Sequence, residues 1–113
     1  MTGAPVDSVM RTLSDPTRRA IFERIAAGHD TTVSALTKFA GVSQPAVSQH
    51  VKVLQDAQLI VGRRAGRNTF YSADPNGLQP LAEWMNVHLR FWEDSFDRLG
   101  DYLRDLQRNE EHS

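Results

Sequence analysis

The chain has 113 residues, 40% hydrophobic and 24% charged, with no cysteine and a net charge of −1; this predicts one soluble, cytoplasmic domain that buries a core without disulfides or thiolate metal sites. No apolar run reaches the ~18 residues of a membrane span, and the start MTGAPVDSVMRTLSDP has no apolar stretch behind a basic end, so neither a membrane partner nor a signal peptide is expected. The charge divides unevenly: residues 1–78 hold nine Lys/Arg against six Asp/Glu and residues 79–113 four against eight, which points only the front of the chain toward a polyanion.

Val6, Val9, Met10 and Leu13 step at helical spacing and predict a short first helix. Asp15-Pro16 reads as an N-cap followed by proline at the first helical position, where no amide donor is needed. Ile21, Phe22 and Ile25 form the buried face of that second helix, and Gly28 ends it. A third helix is expected from Ser34 as N-cap through Leu36, Phe39 and Ala40, stopping at Gly41. Ser43 caps a fourth helix that carries Val47, Val51 and Leu54 inward. Two short helices joined by Ala40-Gly41-Val42-Ser43 make a helix-turn-helix over about 34–57; an ordinary helical hairpin is the plain alternative.

Leu59–Arg64 and Arg67–Ser72 are rich in β-branched and aromatic residues and flank Ala65-Gly66, which reads as a β-hairpin over about 59–73. A basic hairpin after a helix-turn-helix is a wing. A last helix runs from about 78 to 106, with Met85, Leu89, Trp92, Phe96, Leu99, Leu103 and Leu106 recurring at steps of four and three. Trp84 and Phe91 widen that apolar band, and Pro80 falls in the first turn, where it is tolerated. One such domain does not need so long a stripe to cover its own core, so the excess predicts a second copy as cover. The expected fold is mainly α with a small β-hairpin, a dimeric winged helix-turn-helix of one domain over 1–108, with 109–113 a disordered tail.

On the fourth helix, Pro45, Ser48, Gln49 and Lys52 fall opposite the inward cluster, with Gln44 and Gln55 at the edges. Glutamine presents a donor and an acceptor together and matches adenine in the major groove, and serine matches either type. A solvated helix face competes with this reading for any single residue; as a set before a basic hairpin they point to DNA. Ser43, Gln44, Pro45, Ser48, Gln49, His50 and Lys52 are therefore the candidate contacts on this helix, although His50 lies beside the inward cluster. Arg63, Arg64 and Arg67 on the wing suit phosphate, since guanidinium is always charged and forks onto phosphate oxygens. Arg18 and Arg19 are weaker phosphate candidates.

His29, His50, His88 and His112 are scattered, with no pair three or four apart, and Asp94, Asp97 and Asp101 lack a nitrogen ligand beside them. No metal site and no cofactor are expected. No nucleophile elbow, phosphate-cradling loop or zinc-protease helix occurs, so no enzyme is expected.

Leu13-Ser14-Asp15-Pro16-Thr17-Arg18-Arg19-Ala20-Ile21, Val47-Ser48-Gln49-His50-Val51-Lys52-Val53-Leu54 and Gly66-Arg67-Asn68-Thr69-Phe70-Tyr71 together resemble the ArsR family of bacterial repressors, over roughly residues 5–105. The resemblance implies a dimeric winged-helix binder of double-stranded DNA whose first and last helices form the dimer interface, here Val6, Met10, Met85, Leu89, Trp92, Phe96, Leu99 and Leu103. Many members of that family release their operator when a metal or metalloid binds. This chain departs from that half of the pattern: Val33-Ser34-Ala35-Leu36 stands where arsenic sensors carry a cysteine pair, and only His88 stands among the aromatic and aliphatic residues where zinc-type sensors carry ligands. It looks like the non-metal branch, often autorepressors, acting on an imperfect palindrome. A member responsive to metal or ligand through another site, or a winged-helix protein-interaction module, is the alternative.

Overall fold

The computed structural model describes residues 5–28 and 31–112. In chain order it forms α1 (Pro5–Thr12), α2 (Pro16–Ala26), α3 (Val33–Ala40), α4 (Gln44–Asp56), β1 (Ile60–Ala65), β2 (Asn68–Ala73) and α5 (Gln79–His112). Side-chain caps set three of the helix starts. Asp15 accepts from the Arg18 amide at 2.9 Å, Thr32 from the Ala35 amide at 3.1 Å and Ser43 from the Ala46 amide at 3.3 Å. Each satisfies a donor that the first turn of a helix leaves without an intrahelical partner.

The Arg18 amide held by Asp15 keeps its carboxyl below the usual carboxylate range; desolvation opposes this, and the charges of His50 and Arg18 add to the lowering. A depressed folded pKa contributes stability that is present at neutral pH and lost as pH falls through it. Asp15→Asn keeps a capping acceptor without the charge, so its thermal midpoint should fall less than that of the native chain between about pH 5 and pH 2. Equal falls, followed by circular dichroism, would remove the carboxylate charge from the explanation.

The core is Ile21, Phe22 and Ile25 from α2, Leu36 from α3, Val47, Val51 and Leu54 from α4, Leu59 and Ile60 at the wing entrance, and Val9 from α1. Each buried side chain of this size contributes about 1.5–3 kcal/mol by leaving water. The inward stripe of α4 thus locks the helix-turn-helix by its second member. Between α3 and α4, Gly41 takes the left-handed conformation at φ 69°, which turns the chain before Ser43 restarts it. In the hairpin, Ile60 pairs with Ala73 and Ala65 with Asn68, leaving Gly66-Arg67 as the two-residue turn. Gly66 alone has positive φ there, the pattern of a type II′ turn with glycine first. Beyond the hairpin, Thr31 forms an antiparallel bridge to Tyr71, so the sheet continues one residue toward the cap of α3.

Three features differ from expectation. The cap of α3 is Thr32, not Ser34, because the Thr31–Tyr71 bridge holds the preceding residue extended and starts the helix two residues earlier. Residues 109–112 continue α5 instead of forming a disordered tail, with Ser113 outside the described residues. No proline or glycine follows Gly100, and Arg104 with Asp101 and Arg108 with Asp105 tie successive turns together. The chain also divides into two compact units, 1–81 and 82–113, where the sequence predicts one. The second is helix alone, and a lone helix has no second layer of its own on which to bury a stripe.

The second unit shows what that leaves. Met85, Leu89, Trp92, Phe96, Leu99, Leu103 and Leu106 are all exposed, Trp92 by 52% and Phe96 by 64%. Along the helix, the Trp84 and His88 rings lie 4.4 Å apart between centroids at a 43° tilt, and the Trp92 and Phe96 centroids lie 6.2 Å apart.

Candidate nucleic-acid interface

The outer face of α4 forms as expected. Gln44, Pro45, Ser48, Gln49, Lys52 and Gln55 are all exposed, while Val47, Val51 and Leu54 are buried beneath them. Packing therefore fixes the rotation of the helix, and the amide and hydroxyl groups are presented outward by default. Ser43 accepts one bond at its hydroxyl oxygen as the cap, which leaves its O–H and one lone pair for an outside partner. Lys52 stands 3.9 Å from Asp56 one turn on, an exposed pair of the kind that contributes about 0–1 kcal/mol and yields readily to a phosphate.

The wing places Arg63, Arg64 and Arg67 on exposed positions around the turn. Arg63 lies over the Phe70 ring, 5.6 Å from its centroid, so that its guanidinium is steered by a cation–π contact on its own strand pair. Arg67 and Gln44 line one cleft of about 240 Å³, together with Thr32, Val33, Asn68 and Tyr71. The start of the fourth helix and the wing tip thus converge on one surface, with the first turn of α3 at its edge.

His50 does not join that surface. It is half-buried, its Nδ1 is shielded without a hydrogen-bond partner, and it acts on Asp15 through charge. Its position about 60° from the inward cluster turns it toward the start of α2. Arg18 and Arg19 are also committed elsewhere: Arg18 Nη1 donates to the Thr12 carbonyl at 3.1 Å and Arg19 Nη1 to the Leu13 carbonyl at 2.9 Å. They take up the Thr12 and Leu13 carbonyls at the end of α1, where Ser14 takes up the Arg11 carbonyl through its amide and its hydroxyl. Sequence reasoning missed two residues that shape the surface, Gly62 and Tyr71. A lone glycine inside a strand pattern was the available signal for the first, since it marks close approach by another group.

A family model described as a helix-turn-helix domain matches residues 13–63. The chain is 45% identical over 86 residues to the transcriptional regulator Rv2034 of Mycobacterium tuberculosis, covering 76% of this chain and 77% of that one. It is 32% identical over 80 residues to the transcriptional repressor SdpR of Bacillus subtilis, covering 71% and 88%. Among solved structures it is similar to an ArsR-like transcriptional regulator from Rhodococcus sp. RHA1, with a TM-score of 0.69 at 27% identity over 85% of this chain and 90% of that one. The chain belongs to the ArsR family. It is a winged helix-turn-helix regulator of transcription that binds DNA, and the ArsR fold and relatives are those of regulators rather than enzymes. No helix among the described residues of this ArsR-family chain is long and apolar enough to cross a membrane.

Proposed function

We propose that this ArsR-family chain is a homodimeric repressor of its own or a neighbouring operon, binding an imperfect palindrome through α4 and the wing of each copy. The observation that carries the reading is the convergence of Gln44, on the polar face of α4, and Arg67, on the wing, along one cleft. Gln44, Ser48 and Gln49 read base edges, with Ser43 and Pro45 at the helix start. Arg63, Arg64, Arg67 and Lys52 hold phosphates, and His50 supports α4 from its inner side. Cover for the exposed stripe of Met85, Leu89, Trp92, Phe96, Leu99 and Leu103 comes from a second copy, with Val6 and Met10 of α1 contributing. A two-fold pair of α4 helices then meets successive major grooves, with half-site centres about one or two helical turns apart.

Binding is proposed to be independent of transition metals. The chain has no thiol, and among the described residues no three His, Cys, Asp or Glu side chains are grouped to hold an ion; His29 lies outside those residues. The test is a titration of duplex DNA carrying the chain's own upstream promoter, at several salt concentrations, with and without micromolar zinc, copper or arsenite. Affinity should fall steeply with salt and stay unchanged by the ions. Salt-insensitive binding, or none, would favour a protein-interaction module. A tenfold shift caused by one ion, about 1.4 kcal/mol of coupling, would make the chain a sensor.

A further inference from the structure

We infer that Gly62 and Tyr71 are positioning residues that hold the wing at a fixed angle to both helices of the helix-turn-helix. The inference rests on the DNA-binding reading above and deepens it. Gly62 and Tyr71 are directly paired across the hairpin, on the face shared with the buried Ile60. A methyl group built on Gly62 would stand 3.1 Å from Thr69 Cγ2, 3.1 Å from Tyr71 Cε1 and 3.2 Å from Gln55 Nε2. Three side chains thus close over a strand position that has none of its own, and one of them belongs to α4. Tyr71 makes the second link. Its N–H donates to the Thr31 carbonyl at 2.8 Å and its carbonyl accepts from the Thr31 N–H at 3.3 Å, immediately before the Thr32 cap of α3.

One wing residue therefore touches the helix-turn-helix from both ends, by backbone toward α3 and through Gly62 toward α4. The neighbours cannot all yield to an added methyl. Gln55 has a long side chain that swings aside, but Thr69 is stiff at its first torsion and Tyr71 packs against the core. The backbone of β1 then takes up the few tenths of an ångström that Thr69 and Tyr71 do not give. From Gly62 to the turn is four residues, about 13 Å of strand, so a tilt of about 5° displaces the tip by roughly 1 Å. That is enough to take an N–H···O contact of about 2.9 Å out of hydrogen-bonding range.

The test compares Gly62→Ala with the native chain on the promoter duplex and on a scrambled duplex, at several salt concentrations, beside thermal unfolding of each protein. The expected result is about tenfold weaker binding to both duplexes, a salt slope smaller by one to two units, and a thermal midpoint within a few degrees of native. Gly62→Ala with Thr69→Ser, which removes one of the crowding atoms, should recover part of the slope, and Tyr71→Phe should change nothing. A native slope in Gly62→Ala, or a loss of affinity tracking only a loss of stability, overturns the inference and leaves the DNA reading intact. If Gly62→Ala does not fold, Tyr71→Leu takes its place: a reduced slope supports the inference and a native slope overturns it. Absence of salt-dependent binding by the native chain overturns both.

Discussion

Trp92→Asp is expected to yield monomers or insoluble protein. Trp92 sits at the middle of the α5 stripe, flanked one turn away by Leu89 and Phe96, with half its surface exposed in the single chain. An aromatic of this kind covers on the order of 200 Å² when fully buried, so covering the exposed half contributes about 2.5 kcal/mol at 25 cal/mol/Å². A two-fold assembly counts that twice. A carboxylate in the same place loses the contribution and adds the desolvation of a charge that has no partner on the stripe. Sedimentation velocity over a range of concentrations reads the result directly. A soluble Trp92→Asp protein that sediments as the native assembly does, with native stability, would put Trp92 outside any interface and transfer the dimer to another surface.

The second large effect separates base reading from phosphate holding by the kind of loss each variant shows. Gln49 is exposed on the outer face of α4, beside Ser48 and one turn beyond Pro45. Gln49→Ala should cost roughly 1–3 kcal/mol on the operator and little on scrambled DNA, because a contact to a base edge carries sequence information. Arg67→Ala should weaken both duplexes alike and lower the salt slope by about one unit for each phosphate that it ceases to neutralise. Lys52→Ala should behave as Arg67→Ala does, since its exposed partner Asp56 holds it only weakly. Fluorescence anisotropy on the two duplexes at several salt concentrations distinguishes the cases. A Gln49→Ala protein that loses both duplexes equally, beside an Arg67→Ala protein that loses only the operator, would make the wing the reader.

Local chemistry explains what is legible in the sequence. Asp15-Pro16 and Ser43 start helices by capping interactions that reach only three residues, and Gly66 turns the hairpin through its own dihedral. The outer face of α4 is readable because a single buried stripe determines which side faces out. What escapes the sequence depends on partners far along the chain. Thr31, Thr32 and Ser34 all suit the start of α3, and Tyr71, forty residues further on, decides among them by holding Thr31 extended. Arg18 and Arg19 look like phosphate ligands until the end of α1 presents them with the carbonyls of Thr12 and Leu13. His50 needs the position of Asp15 to reveal which way it turns.

A 34-residue helix with an uncovered apolar stripe has little in its own chain to keep it wound. Aromatic pairs and the exposed Asp–Arg pairs each add only about 0.2–0.5 kcal/mol, and most helical stability in proteins comes from packing the apolar face. Under the proposed assembly, winding and association are therefore one equilibrium, and α5 responds to how much of the protein is present. Dilution should unwind α5 at concentrations where residues 5–81 keep their core, so amide exchange along the helix would quicken with dilution while the protons of Ile21, Leu36 and Val51 stay protected. A cell holding few copies would then carry the regulator with its reading head folded and its coupling helix loose, open to proteases until enough chains accumulate to wind it.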